Sequence, residues 1–429
     1  MILIGLNLLI KPFWIFGIDR TVQNMVDAQT YGVYFALFNF TFLFNIILDM
    51  GITNFNNRSV AQHNDFLKES FSRIFSMKIL LFALYFFFML MIGFFIGYDR
   101  MQLEMLIPLL FNQFLSLFIL YLRSNISGLL MFKTDSLLSV IDRVIMIIFC
   151  SILLWGHVTD KPFQIIWFIY IQTFAYVITC LLALIIVIRK STFHKPFIDV
   201  AFFKVIFKQS FPFAILHLFT SFHNRMDTVL MERILPSQTG AEQAGIYASA
   251  FRLLDAGIIV AYLMSVICMP LFSNMIANKQ KVNEIVRTSF ILLFVYGVIV
   301  AVASFFYSHE LMNLLYVNHI EASSSVYKIL MLSIFPLVLT YVFGSLLTAN
   351  GNLKQLNIIA ICAVSINLLL NLILIPFYGA KGSAIASLIT QTFIISIEIY
   401  LVIKIFHFKI EKIFIIKLLV FILGVIACN

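Results

Sequence analysis

Charged side chains are scarce in this chain of 429 residues: Asp, Glu, Lys and Arg make up 11% of it, whereas hydrophobic residues make up 62%. A soluble domain needs a larger polar share to cover its surface. Mean hydropathy is +1.02, and apolar runs of roughly 20 residues, long enough to cross a ~30 Å hydrocarbon layer, recur from end to end. The composition therefore predicts a polytopic α-helical membrane protein.

Sequence signatures of enzymes are also missing. The H-E-x-x-H, G-x-S-x-G and Walker patterns do not occur, so neither ATP hydrolysis nor another enzyme activity is predicted. The five cysteines lie in apolar runs without C-x-x-C spacing, which indicates buried thiols and no metal site. The net charge of +9 forms no basic patch with interleaved aromatic residues, so nucleic acid is not an expected partner.

The sequence contains thirteen candidate transmembrane spans, and the basic residues indicate their orientation. Numbered in chain order, the spans are approximately 2–23, 31–50, 74–97, 105–130, 137–156, 164–188, 206–231, 244–271, 287–307, 326–348, 354–376, 382–403 and 413–428. Lysine and arginine concentrate in the connections that follow the even-numbered spans. Because such connections stay in the cytoplasm, the N-terminus is predicted to be cytoplasmic. No connection is long enough to fold as a soluble domain. The thirteenth span ends without a polar tail, which leaves open whether a fourteenth is missing.

Short matches between the two halves of the chain indicate an internal duplication. A Gly-x-Tyr pattern opens spans 2 and 8, and Gln-Thr-Phe recurs in spans 6 and 12 at nearly the same separation. Halves with an even number of spans insert in the same orientation. We therefore predict a six-helix bundle over residues 1–200, a second over 201–404 in a pseudo-twofold arrangement, and an additional helix over 405–429.

Spans 7 and 8 each contain a basic and an acidic residue well inside an apolar run. Arg225 and Asp227 belong to span 7, and Arg252 and Asp255 belong to span 8. An ionised side chain at membrane depth costs several kcal/mol unless it is paired or faces water, so such residues usually mark a substrate or ion path. We expect these helices to line a water-filled cavity between two halves of a transporter. Because they are one turn apart, Arg252 and Asp255 could instead neutralise one another.

Further candidates lie in spans 1 and 2, where a structural explanation is also open. Lys11 precedes a proline that favours a bend, but it could extend to the cytoplasmic headgroups instead. Asp19 and Arg20 end the first apolar run and could be interfacial. Asp49 precedes Gly51, where a plain helix end competes with an ion-coupling role. Glu398 in span 12 is a weaker cavity candidate.

Several segments resemble one family of membrane proteins. Residues 31–40 and 48–58, 225–231 with 244–255 and 269–274, and 346–354 with 367–391 are similar to the Wzx-type O-antigen and polysaccharide flippases. These flippases form part of the multidrug/oligosaccharidyl-lipid/polysaccharide exporter superfamily. The resemblance covers nearly the whole chain, and it implies a MATE-like, all-α fold of two six-helix bundles.

The resemblance also implies a substrate and a site. The substrate would be an oligosaccharide repeat unit on an undecaprenyl pyrophosphate carrier, moved by alternating access from the inner to the outer leaflet of the bacterial cytoplasmic membrane. The cationic cavity of the family maps to Arg225, Arg252, Lys11 and Arg20 for substrate binding, and to Asp227, Asp255, Asp49 and Asp19 as ion-coupling residues or structural partners. Arginine suits this role because its planar fork binds a pyrophosphate bidentately. No cofactor is expected beyond a coupling H⁺ or Na⁺, and the partners would be the glycan lipid, membrane lipids and other polysaccharide-assembly proteins.

Three other functions compete with this one. A drug or cation antiporter of the same superfamily shares the scaffold, but a cationic substrate favours acidic cavity residues with few arginines. A lipid II flippase is a close variant that the sequence separates poorly. A membrane-embedded glycan polymerase would act on the same carrier lipid, but such enzymes typically present a large external loop, and the connection at 308–325 is short.

Overall fold

The computed structural model describes residues 5, 9–10, 12–62, 66–156, 158–191, 199–408 and 411–429. Within these ranges, it describes the side chains of all residues except 54, 55, 58, 61, 62, 209, 210, 212 and 213. Regular secondary structure over these ranges is entirely helical, and no strand occurs in them. The prediction of an all-α membrane protein is confirmed. The chain divides into two compact units, Met1–Met226 and Asp227–Asn429.

The first unit begins with a π-helical turn, Trp14–Asp19, that runs directly into a short α-helix. Its helices are α1 (Arg20–Met25), α2 (Ala28–Leu43), α3 (Ile46–Asp49), α4 (Ile52–Gln62), α5 (Phe66–Ile96), α6 (Arg100–Gly128), α7 (Phe132–Trp155), α8 (Ile165–Ile188) and α9 (Val200–Ile234). The boundary between the two compact units falls within α9. The domain limits inferred from the sequence stay predictions.

Helix α6 is the central helix of the first unit. It packs against α2, α4 and α8, and the side chain of Asp99 caps its N-terminus by accepting from the Gln102 N–H at 2.7 Å. Such a cap satisfies one of the backbone donors that a helix leaves free at its start. Buried Asn56 of α4 donates to Asn125 of α6 at 2.9 Å. Polar side chains thus join the helices within an apolar bundle.

A left-handed turn separates α3 from α4. Met50 has a φ of 44° and Gly51 has a φ of 78°. Glycine adopts this conformation at little cost, whereas a residue with a Cβ does so rarely. The turn ends the helix directly after Asp49, so the carboxylate of Asp49 lies at a break in the backbone and not inside a continuous helix.

The second unit contains the remaining helices. They are α10 (Ser237–Ala277), α11 (Asn283–Phe306), α12 (Ser308–Leu315), α13 (Ile320–Leu332), α14 (Ile334–Ala349), α15 (Leu353–Tyr378), α16 (Ala380–Phe406) and α17 (Lys412–Ala427). Helix α16 packs against α15, α14, α13 and α10. A tight turn joins α15 to α16, and a Cβ at Gly382 would lie 2.5 Å from the Leu374 carbonyl oxygen. Glycine at this position permits the close approach of the two helices.

Nine of the described helical segments are long and apolar enough to cross a membrane, and one of them comprises α13 and α14 together. They are Phe66–Ile96, Arg100–Gly128, Phe132–Trp155, Ile165–Ile188, Ser237–Ala277, Asn283–Phe306, Ile320–Ala349, Leu353–Tyr378 and Ala380–Phe406. The other predicted spans coincide with the π-helical turn and α1, with α2 and α3, with α9, and with α17, which is 16 residues long. The prediction of a multi-pass membrane protein is confirmed.

Candidate functional site

Asp227, near the end of α9, is the centre of a buried polar cluster in the second unit. Its side chain is 2% exposed. Oδ2 accepts from the Tyr247 hydroxyl of α10 and from the Ser387 hydroxyl of α16, each at 2.6 Å. Oδ1 accepts from the Asn371 amide of α15 at 2.9 Å. One carboxylate therefore connects four helices that are distant in the sequence.

A second layer of polar groups holds the partners of Asp227. The Ser383 hydroxyl donates to Asn371 Oδ1 at 2.7 Å, and the Asn371 amide donates to Asn367 Oδ1 at 3.0 Å. Asn367 and Asn371 are one turn apart on α15, and Ser383 and Ser387 are one turn apart on α16, so each pair lies on one helix face. We call Asp227, Tyr247, Asn367, Asn371, Ser383 and Ser387 the Asp227 cluster.

All hydrogen-bond partners of Asp227 within the described residues are neutral. A buried carboxylate needs several strong donors or a cation to offset the loss of hydration. The cluster supplies donors, and it also brings together the oxygens of a carboxylate, two amides and three hydroxyls. A proton or a small hard cation fits such a set of oxygen atoms.

The sequence signals for this cluster lie within the segments that carry the family resemblance. Asp227 was predicted as an ion-coupling residue or structural partner, but Tyr247, Asn371 and Ser387 were not singled out. Four-residue repeats of Asn and Ser within apolar runs were the available signal, because such repeats place amides and hydroxyls on one helix face. The local spacing of these residues does not predict which distant helix they contact.

Arg225 lies two residues before Asp227, and it contacts two residues of α2 in the first unit. Its side chain is half-buried. The guanidinium donates from Nη1 to Asn39 Oδ1 of α2 at 3.4 Å, and its central carbon lies 5.3 Å from the centre of the Phe42 ring. The amide and the aromatic face orient the planar cation through a hydrogen bond and a cation–π contact. Arg225 and Asp227 thus use different faces of α9.

Asp49 takes part in a buried ion pair that sequence reasoning missed. Lys78 of α5 is 1% exposed, and its Nζ lies 2.5 Å from Asp49 Oδ1 and 3.1 Å from the Leu48 carbonyl oxygen. Asp49 Oδ1 also accepts from the Thr53 hydroxyl of α4. The ion pair connects the α3–α4 break to α5. A lysine inside a 31-residue apolar helix was the signal available in the sequence.

The predicted residues at the N-terminus have separate environments. Asp19 is buried, and the Tyr31 hydroxyl of α2 lies 3.0 Å from both of its carboxylate oxygens. Arg20 is half-buried, and among the described residues its buried Nε atom has no hydrogen-bond partner. Lys11 lies outside the described residues. An unsatisfied buried guanidinium N–H is costly, so Arg20 remains a candidate for binding an acceptor.

Arg252 and Asp255 lie one turn apart on α10, and both are half-buried. Both residues remain predicted site residues. Among the described residues, no group of three or more His, Cys, Asp or Glu side chains is close enough to hold a metal ion.

Comparisons with known proteins agree with this architecture. A family model described as "Polysaccharide biosynthesis protein" matches residues 20–276, and a model described as MatE matches residues 212–373. A search of curated proteins gives no match.

Several solved structures have the same fold. An inward-facing multidrug resistance MATE family transporter of the MOP superfamily is 14% identical, with 92% of each chain covered and a TM-score of 0.70. The lipid II flippase MurJ in an inward closed conformation is 16% identical, with 98% of this chain and 96% of that chain covered and a TM-score of 0.70. A MOP superfamily transporter from Pyrococcus furiosus is 12% identical, with 95% and 94% covered and a TM-score of 0.62.

These similarities define the fold of the protein, which is the fold of the MOP superfamily transporters and of the lipid II flippase MurJ. The polysaccharide biosynthesis model matches more than half of the chain. The chain therefore belongs to the polysaccharide biosynthesis protein family, as the sequence resemblance predicted.

The buried Lys78–Asp49 pair generates a prediction about stability. Removing one partner of a buried ion pair leaves an uncompensated charge and costs about 3–5 kcal/mol. We expect Lys78→Met and Asp49→Asn each to lower the thermal unfolding temperature of the detergent-solubilised protein. The double variant should be less destabilised than the sum of the two, with a coupling energy of about 1–3 kcal/mol.

The exposed pair Arg100–Glu104 is the matched control, with its side-chain atoms 3.0 Å apart and 93% and 63% exposed. The same cycle with Arg100→Ala and Glu104→Ala should give a coupling energy below about 1 kcal/mol. Equal coupling energies in the two cycles would contradict a stabilising role of the buried pair.

Proposed function

We propose that this protein is a flippase for undecaprenyl-pyrophosphate-linked oligosaccharide repeat units. It would move them by alternating access from the cytoplasmic to the outer leaflet of a bacterial inner membrane, for O-antigen, capsule or exopolysaccharide biosynthesis. The match of the polysaccharide biosynthesis family model to residues 20–276 is the observation that carries the proposal. The distribution of lysine and arginine supports a cytoplasmic N-terminus.

Arg225 is the residue best placed to contact the pyrophosphate. The match includes Arg225, Arg252 and Arg20. A pyrophosphate is anionic, and a guanidinium offers it two parallel N–H donors, which a lysine ammonium does not. Asn39 and the Phe42 ring orient the guanidinium group of Arg225. Such fixed orientation reduces the entropy lost when the headgroup binds.

The carrier lipid explains why a transporter needs this chemistry. The charged, hydroxyl-rich headgroup must be shielded from hydrocarbon during the crossing, while the polyprenyl tail remains in the lipid. Half-buried arginines inside apolar helices offer the headgroup charge-assisted hydrogen bonds in place of water. Other polysaccharide-assembly proteins are proposed as partners that deliver and remove the glycan lipid.

Two alternative functions each have a specific observation in their support. The lipid II flippase MurJ shares the fold with a TM-score of 0.70, and lipid II would present a similar anionic headgroup. The MatE model matches residues 212–373, which favours a drug or cation antiporter. The half-buried arginines Arg225 and Arg252 argue against a cationic substrate, because like charges in a cavity repel it.

We also propose that the Asp227 cluster binds the coupling cation, a proton or Na⁺. Asp227 is buried among neutral donors, and its charge can be offset further by a bound cation. Binding there would pull together the four helices that the cluster connects, and release would loosen them. A ligand that binds one conformation more tightly shifts the equilibrium toward it.

The headgroup assignment predicts a loss of export. In a strain that lacks its own flippase, Arg225→Ala and Arg252→Ala should each lower glycan export about 10-fold to 100-fold, because a charge-assisted hydrogen bond contributes about 1.5–3 kcal/mol. Arg225→Lys should give an intermediate level of export, since lysine keeps the positive charge but lacks the two parallel N–H donors of the guanidinium. Surface glycan is measured by immunoblot against protein content in the membrane.

The control for this experiment is Arg100→Ala, which removes an exposed arginine at the start of α6 and should export like the wild type. Normal export by both site variants, at wild-type levels of membrane protein, would remove the headgroup assignment and leave the family membership intact.

The coupling proposal predicts a change in the response to ion gradients. Asp227→Asn keeps the size and the acceptor oxygen of the side chain but removes its charge. We expect export by this variant to lose its stimulation by an imposed Na⁺ or pH gradient, measured in proteoliposomes. Asp160→Asn, in an exposed connection, should respond like the wild type. A wild-type response of Asp227→Asn to both gradients would refute the proposal.

A further inference from the structure

A second buried carboxyl group in the second unit has no role in the function proposed above. Glu398 of α16 is 3% exposed. The Thr340 hydroxyl of α14 lies beside this carboxyl group and donates to the Pro336 carbonyl oxygen at 3.2 Å, so its oxygen can accept from a protonated acid. Gly344, one turn further along α14, makes room for the carboxyl group, since a Cβ at that position would lie 3.1 Å from Glu398 Oε1. The carboxyl group thus occupies a notch in the surface of α14.

One oxygen of this carboxyl group is unsatisfied. Oε2 of Glu398 is buried, and within the described part of the chain it has no hydrogen-bond partner. Burying an ionised carboxylate without paired donors is far more costly than burying a neutral acid. A bound proton removes the charge, and it is also the one ligand that needs no more space than the notch provides.

The charged groups around α16 do not pair with Glu398. The titratable and charged groups on α16 and on the helices packed against it are Glu242, Tyr247, Arg252, Asp255, Tyr262 and Cys268 of α10, Glu321, Tyr327 and Lys328 of α13, Tyr341 of α14, Lys354, Cys362 and Tyr378 of α15, and Lys381, Tyr400 and Lys404 of α16. Arg287 of α11 and Glu411 also line a cavity together with Ile399 of α16. Among the described residues, none of these groups forms an ion pair or a hydrogen bond with Glu398.

Three of these basic groups have aromatic contacts. Lys328 Nζ lies 4.3 Å from the centre of the Phe305 ring, Lys404 Nζ lies 5.9 Å from the centre of the Tyr400 ring, and the central carbon of the Arg287 guanidinium lies 5.5 Å from the centre of the Phe414 ring. Beside the notch, Ser345, next to Gly344, lies 2.8 Å from the Ser265 hydroxyl of α10.

Helix α16 connects this group to the Asp227 cluster. Glu398 follows Ser387 by three helical turns and lies on nearly the same face of α16, roughly 16 Å further along the axis. Buried Thr390 and Gln391 lie between them. Any movement of α16 against α14 during transport would act on both carboxyl groups, because both are held by contacts of this one helix.

We propose that Glu398 is a proton-binding site, separate from the Asp227 cluster. The carboxyl group is neutral while the α14–α16 contact is closed, and it releases its proton when this contact opens to water and the carboxylate becomes hydrated. The bond that breaks on release is the O–H bond of the carboxyl group, and water accepts the proton. The inference rests on Glu398 and its neighbours, and it holds whichever lipid the protein moves.

Infrared spectroscopy of the purified protein in lipid tests the proposal without any substrate. The wild type at neutral pH should show the C=O stretch of a protonated carboxylic acid, and Glu398→Gln should lose that part of the band. Glu284→Gln, at an exposed position, should leave it unchanged. Thr340→Val should shift the frequency of the Glu398 band, because it removes the hydroxyl oxygen beside the carboxyl group.

The two spectra at neutral pH are compared. If Glu398→Gln lacks part of the wild-type carboxylate signal but keeps all of the wild-type acid signal, the proposal is wrong. If Glu398→Gln does not fold, the C=O band of the protonated acid is followed in the wild type as the pH is raised. The frequency shift in Thr340→Val identifies which part of this band belongs to Glu398. The failure of the flippase proposal would leave these spectra unaffected, so the two proposals fail separately.

Discussion

The cost of burying charge in an apolar helical bundle governs the design of this protein. With 11% charged residues, most of the chain avoids the cost by containing no ionisable group. The few charged side chains that are buried each require a specific solution. Lys78 and Asp49 neutralise one another, Asp227 collects neutral donors, and Asp19 accepts from a tyrosine hydroxyl.

These solutions have different consequences for motion. An ion pair such as Lys78–Asp49 is satisfied within the protein, and it fixes the α3–α4 break against α5 without needing a ligand. A carboxylate held by hydroxyls and amides, as in the Asp227 cluster, keeps oxygen atoms available for a cation. In the coupling proposal, a cation that binds these oxygens draws the four helices together and its release loosens them, which links ligand exchange to helix movement.

The sequence was sufficient for the fold class and the family. Long apolar runs and the segments at 225–231, 244–255 and 367–391 carried that information, because hydrophobic length and local motif are properties of contiguous residues. The importance of Asp227 was also visible, since it lies inside an apolar span. Its partners were not: Asn371 is 144 positions away along the chain, and no local periodicity indicates which helices meet. Lys78 was missed for the same reason, because its partner lies on another helix and a lone lysine in an apolar span has no visible counterpart.

The backbone around the sites also escaped sequence reasoning in part. Gly51 before α4 was noticed as a helix end, but the left-handed conformation of Met50 beside it was not expected, since residues with a Cβ rarely adopt it. Gly344 gave no signal at all, because its function is to leave space for Glu398, a residue on another helix.

The central claim is that the half-buried arginines and buried carboxyl groups serve the movement of an anionic glycan lipid. The most direct test is a reconstitution of the purified wild type in liposomes that contain an undecaprenyl-pyrophosphate-linked oligosaccharide, with its transbilayer movement followed by accessibility of the glycan to an added lectin. The account predicts movement that depends on the protein and is absent for a neutral polyprenol-linked sugar. Movement no faster than in protein-free liposomes, or equal movement of the neutral lipid, would contradict it.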